Sequence, residues 1–211
     1  MSLKDQRGFT LTELLVASGL SLFVLAAVYG VFRSQTHTVK SQESRMEANE
    51  YALNVIDMIV REIRNAGYFP TGLACPSPAN SAGIVSASQV SFRFVYDSNG
   101  DGACEEDIAY VYDSSAANVL RNGAALTDGN ATAFQFTYYP QQTSGTPPAP
   151  FCFSTGYPVG CSGDLASSLA SVQKVTISVT VQSKNPDVEF GGLSTVTMTL
   201  NADLRNRGLP S

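Results

Sequence analysis

Apolar side chains fill the chain from Phe9 to Phe32 with one charge among them, Glu13, and then thin out to a helical rhythm. The 24 residues of that first run reach roughly 36 Å as a helix, enough to cross the hydrocarbon core of a bilayer. Beyond it Val39, Met46, Leu53, Ile56, Ile59, Val60 and Ile63 recur at spacings of seven, three and four, which predicts one amphipathic face. Arg45, Glu47, Glu50, Asp57, Arg61, Glu62 and Arg64 are assigned to the opposite, solvated side. No proline interrupts Phe9 to Tyr68, Gly67 suits the left-handed residue that ends a helix, and Pro70 blocks continuation. The pattern therefore predicts a single helix from Thr10 to Ala66, roughly 85 Å long, whose second half needs a globular head as cover. Gly19 and Gly30 each cost about 1 kcal/mol relative to alanine and mark places where the span loosens or a neighbour approaches.

The hydrophobic period then changes to two. From Cys75 to Ala87 the composition of Pro, Ser, Ala and Gly predicts a loop. Gln89–Tyr96 alternates Val90, Phe92, Phe94 and Tyr96 against Ser91, Arg93 and Val95, while Ile108–Tyr112 and Ala133–Tyr139 are similarly rich in strand formers. Val172–Gln182 places Val175, Ile177, Val179 and Val181 on one buried face, and Leu193–Leu204 can return antiparallel to it through a turn at 185–192. The stretch Gln141–Ser171, with Pro147, Pro148 and Pro150, reads as a long irregular connection, functional or mobile. The fold class is α+β: an antiparallel sheet packed on the amphipathic half of the helix, a ladle with a helical handle.

The leader Met1–Gly8 carries Lys4 and Arg7 and ends in glycine ahead of the apolar run. A secretory signal has its small-residue cleavage site after the apolar core, on the other side. Gly8 followed by Phe9-Thr10-Leu11-Thr12-Glu13-Leu14-Leu15-Val16 resembles the processing site of type IV prepilins and of type II secretion pseudopilins. The resemblance implies that a membrane-bound prepilin peptidase cuts between Gly8 and Phe9 and that the new amino terminus is methylated. A second likeness lies in Arg61-Glu62-Ile63-Arg64-Asn65-Ala66-Gly67-Tyr68 and in the closing Leu204-Arg205-Asn206-Arg207, which resemble minor pilins of the PilW type. That family implies a pilin-like fold and a structural, non-enzymatic role in pilus assembly, in a priming or tip complex. It further implies contact with other major and minor pilins through the amino-terminal helix, residence in the inner membrane with a periplasmic head before assembly, and a place in a surface pilus afterwards. The alternatives are a minor pseudopilin of type II secretion and a membrane-anchored binding or adhesion module. The chain divides into a cleaved leader (1–8), a membrane or filament-core helix (9–32), its amphipathic continuation (33–67) and a β-rich head (68–211).

Glu13 supports the same reading on physical grounds. An ionised carboxylate within an apolar helix costs on the order of 3 kcal/mol and is normally paired or functional. Cleavage after Gly8 would make the Phe9 amine a cation one turn away, and in a bundle of such helices a neighbour's amine becomes the partner of Glu13. The competing reading is that Glu13 compensates the positive end of its own helix at the membrane interface.

The formal charge of −5 becomes −6 without the leader, whose Lys4, Asp5 and Arg7 carry +1, and nothing in it describes a nucleic-acid surface. Cys75, Cys104, Cys152 and Cys161 all follow the span and lack zinc spacing, which points to two disulfides in an oxidising compartment and hence to a periplasmic head. Cys152 with Cys161 closes a short ring and Cys75 pairs with Cys104 by elimination, the two crossed connectivities staying open.

No cofactor is required by any motif. Asp97-Ser98-Asn99-Gly100-Asp101-Gly102 matches the first half of an EF-hand loop, and Asp97, Asn99, Asp101, Glu105 and Asp107 form a candidate calcium set. Ile108 stands where the loop needs its bidentate glutamate, so a plain acidic hairpin turn is the alternative. His37, the one histidine, lies on the handle, and no HExxH, GxSxG or phosphate-binding glycine loop occurs. Asn130-Ala131-Thr132 is a glycosylation sequon in form and reads as turn chemistry.

Overall fold

The structure, a computed structural model, describes residues 9–69, 83–101, 106–142, 145–154, 157–183 and 194–204. A long helix, α1 (Leu11–Ile63), is followed by β1 (Ile84–Ala87), β2 (Ser91–Tyr96), β3 (Glu106–Asp113), β4 (Asn118–Arg121), β5 (Ala124–Ala125) and β6 (Ala131–Pro140). A short helix, α2 (Leu165–Ser168), a 3-10 turn (Leu169–Ser171), β7 (Val172–Gln182) and β8 (Thr195–Asp203) complete it. The long apolar helix packed on antiparallel sheets is the expected α+β ladle.

α1 runs for 53 residues, about 80 Å, and its first half is exposed throughout. By length and composition that half can cross a membrane. The second half buries Ala48, Ala52, Val55, Ile56, Ile59, Val60 and Ile63. Ile56, Ile59, Val60 and Ile63 belong to the predicted stripe, but Val39, Met46 and Leu53 are exposed and alanines replace them in the interface. The head lies against the last four turns, where spacings of three and four follow one helix face, and small Ala48 and Ala52 let the sheet come close. After Ile63 the helix tightens, Gly67 takes a φ of +74°, and its N–H donates to the Val95 carbonyl at 3.0 Å. That bond ties the end of the handle to β2.

Two sheets form where one was expected. β1 to β5 make an antiparallel meander in sequence order, and β6-β7-β8 make a three-stranded antiparallel sheet. Ile84–Ala87, assigned to a loop from its composition, is instead a strand that pairs with Phe92–Phe94 of β2. β4 and β5 were unforeseen; they flank Asn122-Gly123, whose φ values of 49° and 81° make a tight hairpin turn. The irregular stretch before β7 ends in a helical turn and buries Phe151 and Leu165. In the second sheet Phe134, Phe136 and Tyr138 stand opposite Val179, Ile177 and Val175. Their rings meet those of the first sheet, with Phe92 5.7 Å from Phe136 and 5.4 Å from Tyr138 between centroids. One hydrophobic core therefore runs from α1 through both sheets.

Candidate functional site

Thr10 is the N-cap of α1, with extended backbone, and Glu13 occupies the third helical position. The Thr10 amide donates to Glu13 Oε2 at 2.9 Å, the Thr10 hydroxyl donates to the same oxygen at 2.8 Å, and the Glu13 amide donates to Thr10 Oγ1 at 3.3 Å. This reciprocal arrangement is a capping box, and it satisfies two amides that the first turn leaves without helical partners. The carboxylate is thereby folded back on its own helix end, where the dipole favours negative charge. Within the chain itself the Glu13 carboxylate therefore caps its own helix end. Among the described residues only Oε2 is engaged by hydrogen bonds, which leaves Oε1 open to a further cation. A shallow open groove beside it is lined by Thr12, Val16, Ala17 and Leu20. Phe9 next to this turn is 90% exposed, while Gly8 lies outside the described residues. The sequence Thr10-Leu11-Thr12-Glu13 carries the S/T-x-x-E signal for such a box.

In the acidic segment after β2, the described residues 97–101, Glu106 and Asp107 are engaged by local hydrogen bonds. Asp97 is buried, and its Oδ1 accepts from the Gly100 amide at 2.7 Å. Asn99 accepts from the Asp101 amide at 3.1 Å and donates to its carboxylate at 3.0 Å. Glu106 accepts from the amide and hydroxyl of Ser98. Asp107 points instead at Arg93, which donates to Oδ1 at 2.8 Å and Oδ2 at 2.5 Å. Those hydrogen bonds, aided by the guanidinium charge, hold the Asp107 carboxyl below its ordinary range. Glu105 lies outside the described residues. Among the described residues no three His, Cys, Asp or Glu side chains converge as a metal site.

A disulfide joins Cys152 to Cys161, and Phe153 within its ring stacks on Tyr157 with centroids 6.3 Å apart. Cys75 and Cys104 lie outside the described residues. Glu62, expected on the solvated side, is turned to the head, where it meets Tyr110 and Arg121. No sequence signal distinguishes it from its exposed neighbours.

The profile of the prokaryotic N-terminal methylation motif matches residues 3–29. Comparison with curated proteins and with solved structures returns no match. The matched segment contains the capping box and most of the exposed apolar helix, and it supports a type IV pilin-like chain, a pilin or pseudopilin type of subunit.

Proposed function

We propose that this chain is a minor type IV pilin of the PilW type, cut after Gly8, methylated on Phe9 and inserted through α1 into a helical bundle of pilin-like subunits. Its work is assembly rather than catalysis. The observation that carries the reading is the motif match at residues 3–29 on a helix whose first half has no cover from its own head. A helix so apolar needs lipid before assembly and other helices after it. The inner membrane and a periplasmic head suit the first state, a surface pilus the second. Priming or tip placement is the role that fits a chain with the processing site and a large head.

Glu13 enters this reading as the acceptor for a neighbour's Phe9 amine, through the oxygen that the capping box leaves open. Mass spectrometry of membrane-extracted protein from the native host should find a mature chain that begins at N-methylated Phe9. An intact Met1 leader would sink the proposal. Glu13→Ala should still insert, since it removes a charge from the apolar segment, yet enter filaments less well; normal incorporation would refute the pairing alone.

A further inference from the structure

β8 is the last strand of the second sheet, with β7 on one side only. Antiparallel pairing turns successive residues alternately toward and away from the neighbouring strand. The Ser183 N–H donates to the Ser194 carbonyl at 2.9 Å and the Leu204 N–H to the Gln173 carbonyl at 2.8 Å, one bond at each end of a β7–β8 register that runs without a shift. The even-numbered residues of β8 therefore bond to β7. The N–H and C=O groups of Thr195, Thr197, Thr199, Asn201 and Asp203 point the other way, and no described residue bonds to them.

The other sheet edges are closed or broken. β6 has register shifts at Ala131–Ala133 and Tyr139–Pro140, and bonds of 2.8 to 3.0 Å tie its outer side to Gln89, Ala117 and Phe151. β1 has a shift between Ile84 and Ser86, and β5 is two residues long. Bulges, shortness, proline and lysine are the devices that keep an edge from pairing with a further chain. β8 has none of them over nine residues. Its side chains open at the same place. On the face toward α1, Val175, Ile177, Val179 and Val181 of β7 are fully buried, whereas one strand further out Val196 and Met198 are half-buried and Leu200 is 39% exposed. The opposite face carries exposed Thr195, Thr197, Thr199 and Asn201.

A row of alternating N–H and C=O groups is complementary to another extended backbone, which fixes the conformation of the occupant. The two faces of β8 fix its pattern. We infer that β8 receives an extended segment of a different polypeptide as a fourth strand, with apolar side chains alternating onto the α1 face and hydroxyl or amide side chains onto the other. A second copy of this chain does not fit. Antiparallel pairing of β8 with itself sets a two-fold axis normal to the sheet, which reverses every direction in its plane. Because α1 lies against that sheet, the two membrane halves would point opposite ways, and one bilayer could not hold both. This exclusion rests on the proposed function.

The test places a photoreactive benzoyl-phenylalanine at Thr197 of the full-length chain in assembling cells of the native host and sequences the cross-linked peptides. The expected adduct lies in another polypeptide, within a segment that alternates apolar with hydroxyl or amide residues over about seven positions. Thr199→Pro removes an edge-facing N–H and keeps the β7–β8 ladder, while Leu200→Lys sets a charge on the α1 face of the edge. Each should lower the adduct yield about tenfold. Leu200→Lys changes an exposed position and should leave the thermal midpoint within about 3 °C, so it decides the matter if the proline unfolds β8. An adduct to another part of this chain, to a second copy, to a helix or to lipid overturns the inference, as does an undiminished yield in Leu200→Lys. So does the lack of any adduct in a chain that is cut after Gly8 and assembled, a result that leaves the proposed function standing. Retention of Met1 overturns the proposed function alone where the strand adduct forms, and both where it does not.

Discussion

Glu62 and Arg121, 59 residues apart in sequence, form a two-pronged ion pair across the junction of handle and head. Arg121 Nε donates to Oε2 at 3.0 Å, and Nη2 lies 2.9 Å from Oε1. Tyr110, fully buried on β3, donates its hydroxyl to the same Oε2 at 2.5 Å. The planar guanidinium matches the carboxylate fork, and the tyrosine takes a remaining lone pair. The handle is thus fixed in rotation against the five-stranded sheet by polar geometry, while Ile59 and Ile63 beside it supply non-directional burial.

Arg121→Ala should destabilise the detergent-solubilised chain by about 1–3 kcal/mol, since it leaves a half-buried carboxylate without its cation. The Glu62→Ala, Arg121→Ala cycle should give a coupling of about 1 kcal/mol or more by urea unfolding. Additivity within error would mean that the pair is a surface contact of no consequence.

Alkaline stability follows from the same cluster. Burial first, then the hydrogen bond and charge of Glu62, push the Tyr110 hydroxyl far above its ordinary range, and burial does the same to Tyr138. Above about pH 10 the unfolded chain loses these protons while the native chain keeps them, so stability falls as pH rises. Each tyrosine contributes a slope of about 1.4 kcal/mol per pH unit. Tyr110→Phe should remove one such share; identical slopes between pH 10 and 11 for the two proteins would refute the assignment.

What the sequence made legible is tied to period. The handle, β2, β3, β6, β7 and β8 all carry strong repeats of 3.6 or two, and all were found close to where the pattern put them. Ile84–Ala87 was lost in a Pro-, Ser- and Gly-rich composition because four residues are too few to show alternation. The Asn122-Gly123 hairpin did leave a signal, the dipeptide most favoured for a two-residue turn. Thr10 left one too, through its spacing to Glu13. Glu62 left none: its partners come from β3 and β4, and whether a polar helix residue meets solvent or a guanidinium is decided by tertiary placement alone.

Gly83 should be intolerant of any side chain. It has a φ of +70°, and a Cβ there would stand 2.4 Å from both Cα and N of Gly67 and 2.7 Å from the Val95 carbonyl oxygen. All are backbone atoms at the point where the handle meets β2. Gly83→Ala should therefore cost about 3 kcal/mol or more. Gly19→Ala and Gly30→Ala meet nothing within 4 Å and should strengthen the helix by about 1 kcal/mol each. If either of these impairs filament entry while the chain stays folded, a neighbouring helix passes close to that glycine. Equal melting of the Gly83→Ala and wild-type chains would contradict the close approach.

The Cys152–Cys161 ring constrains the unfolded chain across a separation of nine residues. Replacing both cysteines by serine should lower stability by about 2–3 kcal/mol in the chain-entropy account. Because Phe153 and Tyr157 stack within the ring, the loss should be accompanied by a changed near-ultraviolet tyrosine signal. An unaltered urea midpoint after reduction of the bond would show that packing alone holds this loop.

Calcium provides the last test, at the turn that begins with Asp97. The ion takes six to eight oxygens, whereas here Asp97 is committed to the Gly100 amide, Asn99 and Asp101 to each other, Glu106 to Ser98 and Asp107 to Arg93. A site that recruited Asp107 would first have to break a two-bond guanidinium pair. The expected outcome is that calcium and chelator give thermal midpoints within about 1 °C of each other. A bound ion at a hundred times its dissociation constant would add about 2.7 kcal/mol and raise the midpoint by roughly 5 °C or more for a chain of this size, so the two outcomes are well separated. Asp97→Ala should cost about 1–3 kcal/mol in either buffer, by leaving the Gly100 amide without its acceptor. A calcium-dependent rise that vanishes in an Asp97→Ala, Asp101→Ala variant would show that these oxygens do converge on a metal.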